Sequence, residues 1–322
     1  MRFVIYGAGA IGGALGVSLA NGGSDVVLIA RGAQYEAIRG GGLTLELPDG
    51  PVNARVPVVA QPSELDLGDG DVVVLAMKSQ DTEPALRALS EHAPTQLPIV
   101  CMQNGVENER LALRRFEHVY GAMVIAPATF LAAGSVVVTA APNLGLAELG
   151  RYPSGSDALC EEIAAVFSAS QWASRAVEDI MSWKYAKLLD NLSNAAQVVV
   201  GLTARGGTVA TRARAEGVEV LDRAGIGYLA RDQIESRRAE AIISRPVEGR
   251  ERVGASTWQS VARGTGSVES DYLNGEIVLI ARRHGGSAPV NALLQRLSNE
   301  IARSAGERGP INEEQFLALL ED

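Results

Sequence analysis

MRFVIYGAGAIGGALGVSLANGGSDVVLIARG, residues 1–32, reads as a strand, a glycine turn, a helix and a second strand. Phe3, Val4, Ile5 and Tyr6 form a short apolar run of the kind that a buried parallel strand uses. Gly7, Ala8, Gly9, Ala10, Ile11 and Gly12 follow at once. In such a turn Gly7 makes the tight bend, Gly9 lets the backbone approach a pyrophosphate, and Gly12 lets the helix pack on the strand. A helix starting near Ala10 points its free N–H groups and the positive end of its dipole at the phosphates. The second strand, Val26 to Ala30, ends at Arg31, 19 residues after Gly12. A carboxylate there would take the ribose 2′-OH of NAD. A cation there pairs instead with a 2′-phosphate, so the expected cofactor is NADP(H).

The rest of the composition bounds what surrounds this unit. At 322 residues the chain has room for about two domains. Hydrophobic residues make up 47%, and the net charge is -9. No basic nucleic-acid binder has that balance, although a small basic pocket for an anionic ligand is compatible with it. The apolar opening is broken by glycines and lacks a basic leader, so it is not read as a signal peptide. No stretch reaches about 18 consecutive apolar residues, so no membrane span is expected. Two cysteines, Cys101 and Cys160, give no disulfide framework and read as reduced core thiols. These features point to the cytoplasm.

Strand and helix patterns alternate through the first half. Gly40-Gly41-Gly42 and Pro48-Asp49-Gly50-Pro51 punctuate an excursion with extended stretches at 43–47 and 54–59. Asp71 to Ala76 is a buried parallel strand, with Lys78 just past its end; a helix over 81–92 follows. Pro98 to Met102 is another strand, closed by Gln103-Asn104-Gly105, and a helix is expected over 107–116. Strands are expected at 119–125, 135–140 and 144–148, and a helix at 157–168. Ligands of open α/β sheets bind outside the carboxyl ends of the strands. Lys78 and Asn104 stand at such ends beside the glycine turn. Alone, each has an ordinary reading, a solvated lysine and a turn asparagine; together they make one polar edge.

After about residue 176 the patterns become helical: 180–200, 213–224, 231–242, 267–284 and 290–305. The expected architecture is therefore α/β, a Rossmann-type dinucleotide-binding domain at 1–175 and an all-helical domain at 176–322. The junction of two such halves is where a cleft is expected. A homodimer is compatible with a helical second half, but no exposed apolar stripe marks a face for it. On the first helix Lys184, Lys187, Asn191 and Asn194 recur at i, i+3, i+7 and i+10 and so share a face. Asparagine is a poor helix-interior residue, so two on one face need a reason. Ser256 and Thr257 fall in a segment rich in hydroxyls. Ser267 is a plausible N-cap, with Glu269 in the first turn after it, where an acid suits the dipole.

Taken together the chain resembles the ketopantoate reductase (2-dehydropantoate 2-reductase) family. The matching places are GAGAIG with the following Ala-Arg-Gly, Lys78, Gln103-Asn104-Gly105, the Lys187-to-Asn191 helix behind Trp183, and Glu269 to Gly275. The resemblance implies NADPH-dependent reduction of a 2-keto acid, ketopantoate to pantoate in the family. It implies Lys187 as the catalytic general acid, with the adjacent Lys184 the alternative proton donor, and Asn104, Lys187, Asn191, Asn194 and Ser256 as substrate contacts. It implies that Gly7 to Gly12, Arg31, Lys78, Asn104, Ala126 and Glu269 contact NADP. Departures fall on the substrate side. Trp183 is next to Lys184 rather than two before the catalytic lysine, Asn194 follows Asn191 by three rather than four, and Ser260 stands where the family has an aspartate. They keep open a related 2-keto acid reductase of different substrate, or a non-catalytic NADP-binding sensor.

Overall fold

A computed structural model describes residues 1–250, 254–262, 264, 266–304 and 309–321. The opening unit is β1 (Arg2–Tyr6), α1 (Ala10–Asn21) and β2 (Asp25–Ile29). Then come α2 (Gly32–Gly41), β3 (Leu43–Leu47), β4 (Gly50–Ala54), β5 (Val58–Val59) and β6 (Asp71–Leu75). They are followed by α3 (Thr82–Ser90), β7 (Ile99–Cys101), α4 (Asn108–Leu113) and β8 (Val119–Ile125). The α/β part continues with β9 (Ala128–Ala132), β10 (Ser135–Val138), β11 (Gly145–Arg151), α5 (Ala158–Ala169) and β12 (Trp172–Ala176). The helical part holds α6 (Ile180–Asn191), α7 (Ser193–Val199), α8 (Thr208–Ala224), α9 (Arg231–Ala241), α10 (Ser256–Ala262), α11 (Asn274–Arg283), α12 (Pro289–Arg303) and α13 (Glu313–Ala318).

The main sheet runs β12-β11-β8-β7-β6-β1-β2-β5. From β5 to β8 every pairing is parallel, and only β11 meets β8 antiparallel. This is the doubly wound order that reverses between β1 and β6, and such a reversal opens a crevice at the strand ends. Both faces are covered, so β1 is apolar and buried at its centre: Phe3 and Ile5 join one core, Val4 the other. Register sets what emerges. Tyr6 pairs with Ile29 and with Leu75, and Leu75 with Cys101, so Gly7, Arg31, Lys78 and Asn104 leave adjacent strands at nearly one level. At the opposite edge a two-pronged Arg2–Asp71 pair, each contact 2.7 Å, holds β1 and β6 in step.

A second sheet, β4-β3-β10-β9, lies over α1. This explains why α1 is buried continuously from Gly12 to Leu19 instead of showing a polar face. A Cβ on Gly13 would sit 3.0 Å from Val136, and one on Gly16 2.6 Å from Leu28. The stretches read as an excursion and as the 135–140 strand thus come together in this sheet. Two strands, β9 and β12, carried no expectation. The run 54–59 divides into the end of β4 and the short edge strand β5.

Contacts group Met1–Lys184 with Ala230–Arg252 as one compact unit and Tyr185–Leu229 with Val253–Asp322 as another. The expected helix over 180–200 is interrupted at Leu192, whose carbonyl accepts from the buried Asn274 Nδ2 at 3.1 Å. The expected helix over 267–284 also differs. A 3₁₀ turn, Glu269–Asp271, comes first and α11 begins at Asn274, because Leu273 leaves helical geometry at φ -113° and ψ -85°. Ser267 therefore does not cap α11, and Glu269 lies in the separate turn.

Candidate functional site

The glycine turn behaves as its chemistry requires. Gly7 has φ +104°, and a Cβ there would meet the backbone N of Met77 at 2.7 Å. Only glycine combines that dihedral with that approach. A Cβ on Gly12 would lie 2.1 Å from the Gly7 carbonyl oxygen and 2.9 Å from the Ala76 Cβ. Gly9 differs, because a Cβ on it would meet no atom within 4 Å. The protein keeps the space over Gly9 clear at the N-terminus of α1, where Gly9 is the cap residue and no side chain caps the helix. Free N–H groups beside open space suit a pyrophosphate.

That space belongs to a cavity of about 470 Å³ lined by Tyr6, Gly7, Gly9, Arg31 and Asp81, with Ala85 and Ala88 of α3 as an apolar wall. Arg31 is 74% exposed and lies 3.5 Å from Asp81, itself 46% exposed. Burial raises the Tyr6 hydroxyl above its ordinary pKa of 10.0; Arg31 opposes the shift and Asp81 adds to it. Gln34, three residues after Arg31, donates to the Ala8 carbonyl at 2.7 Å and accepts from the Gly134 N–H at 2.8 Å. It fastens the glycine turn to the second sheet. Open space over Gly9, free helix N–H groups and a cation at the end of β2 form a donor set that fits a dinucleotide phosphate pair with a 2′-phosphate. Gln34 and Asp81 escaped the sequence reading; the signal was their spacing, three residues beyond Arg31 and Lys78.

The ends of β6 and β7 are joined by buried side chains. Gln103 donates through Nε2 to the Met77 carbonyl at 3.0 Å and to Thr82 Oγ1 at 2.7 Å. Thr82 donates to Asn108 Oδ1 at 2.8 Å, and Asn108 Nδ2 reaches the Asn104 carbonyl at 2.9 Å. Asn104, half-buried, is thereby held by its backbone, which leaves its amide for other work. Lys78 precedes the 3₁₀ turn Ser79–Asp81, and Ala126 stands half-buried just after β8.

Lys184, which the spacing places on one face with Lys187, is buried. Its ammonium is buried, hydrogen-bonded to Glu109 Oε1 and, at 3.1 Å, to the Gln103 carbonyl. Burial raises the Glu109 carboxyl above its ordinary value, against the pull of Lys184. Lys187, one turn on, is half-buried. Asn191 lies a further turn along α6, and its Nδ2 is buried without a hydrogen-bond partner. Asn194 is buried on α7, beyond the interruption. Ser256 opens α10, but its side chain lies outside the described residues. The adjacent Thr257 is buried, its Oγ1 without a partner. Glu269 is buried at 7% exposure. Both thiols, Cys101 and Cys160, are free and buried.

A doubly wound sheet with a glycine turn at its reversal and a cation after β2 defines a dinucleotide-binding protein. Residues 3–152 match the family model described as ketopantoate reductase PanE/ApbA, and residues 179–302 match its C-terminal counterpart. The chain belongs to the ketopantoate reductase family. It is 29% identical to the 2-dehydropantoate 2-reductase of Pyrococcus horikoshii over 92% of this chain and 96% of that one. The crystal structure of a PanE/ApbA family ketopantoate reductase from Ralstonia eutropha covers 95% of this chain and 99% of its own, with 27% identity and TM-score 0.77. D-mandelate dehydrogenase in a ternary structure with NADH and anilino(oxo)acetate shares the fold, with TM-score 0.80 at 22% identity over 95% of this chain and 99% of its own.

Proposed function

We propose that this chain reduces a 2-keto acid to a 2-hydroxy acid with NADP(H), and that 2-dehydropantoate, reduced to pantoate, is the first substrate to test. The names of its full-length relatives support the substrate class. The observation that carries the reading is the buried, unpartnered Nδ2 of Asn191, two turns of α6 after Lys184 and one after Lys187. A buried amide without a partner costs about 1–3 kcal/mol, so its persistence argues for a ligand acceptor. Gly7, Ala8, Gly9, Ala10, Ile11 and Gly12 would hold the pyrophosphate, Arg31 the 2′-phosphate, and Lys78, Asn104, Ala126 and Glu269 the remainder of the cofactor. When bound, the nicotinamide supplies hydride.

Lys187 does the proton work in this reading. As an ammonium it polarises the keto oxygen and then gives its proton to that oxygen as charge develops. Lys184 is held by Glu109 and Gln103, which supports Lys187 over its neighbour as the donor. Asn191, Asn194, Asn104 and Ser256 would hold the carboxylate and hydroxyl groups of the substrate. The buried thiols suit a reducing compartment, the cytoplasm. The test is NADPH oxidation with 2-dehydropantoate and a panel of 2-keto acids that includes bulkier aryl members. Turnover of one or more is expected, and tight NADPH binding without oxidation of any would replace the reductase with an NADP-binding sensor.

A further inference from the structure

Asp81 is the acidic residue lining the dinucleotide cavity, and it stands at the N-cap position of α3. Aspartate there ordinarily accepts a hydrogen bond from a backbone N–H of the first turn. Asp81 makes no such bond, because it ends the preceding 3₁₀ turn with its backbone already helical at φ -93° and ψ -5°. Its carboxylate lies instead 3.5 Å from the Arg31 guanidinium. Its carboxylate is thus spared for the cavity rather than spent on the helix. With 74% of Arg31 and 46% of Asp81 exposed, solvent screens the pair, and it holds neither strand nor helix in place.

We infer that Asp81 is a specificity-determining residue that limits the preference for NADPH over NADH. This rests on the dinucleotide reading proposed above. Arg31 attracts a 2′-phosphate. The neighbouring carboxylate both occupies Arg31 and repels a group carrying nearly two negative charges. NADH has a hydroxyl at that position, which a carboxylate accepts from as the acid after the second strand does in NAD-binding folds. The Arg31–Asp81 pair therefore pulls in two directions, and the chain is expected to accept both dinucleotides.

The test is equilibrium binding of NADPH and of NADH, each without substrate, to the full chain and to Asp81→Asn. Asparagine keeps the shape of aspartate and removes its charge. Removing one charge beside a phosphate is expected to raise the ratio of NADPH to NADH affinity by about three- to tenfold. The gain should shrink at high salt, as a screened interaction must. Arg31→Ala is expected to move the ratio the other way. If Asp81→Asn does not fold, Asp81→Ser serves, since serine is smaller and equally uncharged. An unchanged or lower ratio in a folded variant overturns the inference and leaves dinucleotide binding intact. A parent chain that binds neither dinucleotide overturns the reading beneath it.

Discussion

Gly9 and Gly12 separate two jobs that the GAGAIG spelling runs together. A Cβ at residue 12 collides with backbone at 2.1 Å, while at residue 9 it enters open space. Overpacking in a buried contact costs about 1–3 kcal/mol, and backbone yields less readily than a side chain. Gly12→Ala is therefore expected to lower the melting temperature. Gly9→Ala is expected to leave it nearly unchanged yet weaken NADPH binding, as paired thermal denaturation and NADPH titration will show; equal losses of stability would refute the division. Lys187 is tested by its chemistry. General acid catalysis contributes about 10²–10⁴-fold, so Lys187→Ala should cut kcat by that order with NADPH affinity kept. Retained kcat would move the proton donor elsewhere. At this scale the sequence served well where a residue's role is local: a glycine's dihedral and a cation at a strand end follow from neighbours in the chain. It did not reach the ion pair of Lys184, because an i, i+3 spacing says nothing of a carboxylate 75 residues away.

Elements met in the same way the residues did. The strands β1, β2, β6, β7 and β8 were legible because both faces are buried and the run is apolar, whereas β12, with Ser174 and Arg175 half-exposed or exposed, lacks that signature. The interruption of the long helix at Leu192 was hidden because the side chain that takes its carbonyl, Asn274, lies 82 residues on. The buried Lys184–Glu109 pair joins α6 to α4, and its titration gives a test. In the unfolded chain the Glu109 carboxyl has its ordinary value of 4.5; in the folded chain burial holds it higher. Between those values the folded state keeps a proton that the unfolded state has lost. The stability this group contributes is full below 4.5 and is lost as pH rises through the raised value. Glu109→Gln, with no proton to lose, should flatten that part of the stability profile measured by urea denaturation. An identical acid-range slope in both proteins would show that Glu109 does not govern it. The variant should also be less stable near neutrality, since removing one partner of a buried pair costs about 3–5 kcal/mol.

The path of the whole chain was the least legible feature. Composition changes near residue 176, and α9 has the helical periodicity of the second half, but its residues group with the first compact unit. Nothing local announces this, since α9 buries only Ile234 and Ala241. Long-range polar contacts fix it instead. Arg237 pairs with the fully buried Glu148 of β11, which Arg175 also approaches at 3.3 Å. Asn143 Nδ2 donates to the Ala241 carbonyl at 2.9 Å, and the Ala141 N–H to the Ile243 carbonyl at 3.2 Å. Arg245 then pairs with Asp49, and Arg250 with Glu46, both across roughly the breadth of the sequence. These last two are surface pairs worth about 0–1 kcal/mol each, so the buried Glu148 contact carries the attachment. Arg237→Met is expected to strip Glu148 of its closest cation and to leave a buried charge beside an exposed arginine, a loss of the order of 3 kcal/mol. Because that loss falls on one segment, its effect should be local opening before global unfolding. Limited trypsin digestion should then cut the variant first within residues 231–250, at Arg231 or Arg238, under conditions where the parent chain resists. Cleavage of both proteins at the same rate would mean that the backbone bonds from Asn143 and Ala141, not the Arg237–Glu148 pair, hold α9 to its sheet.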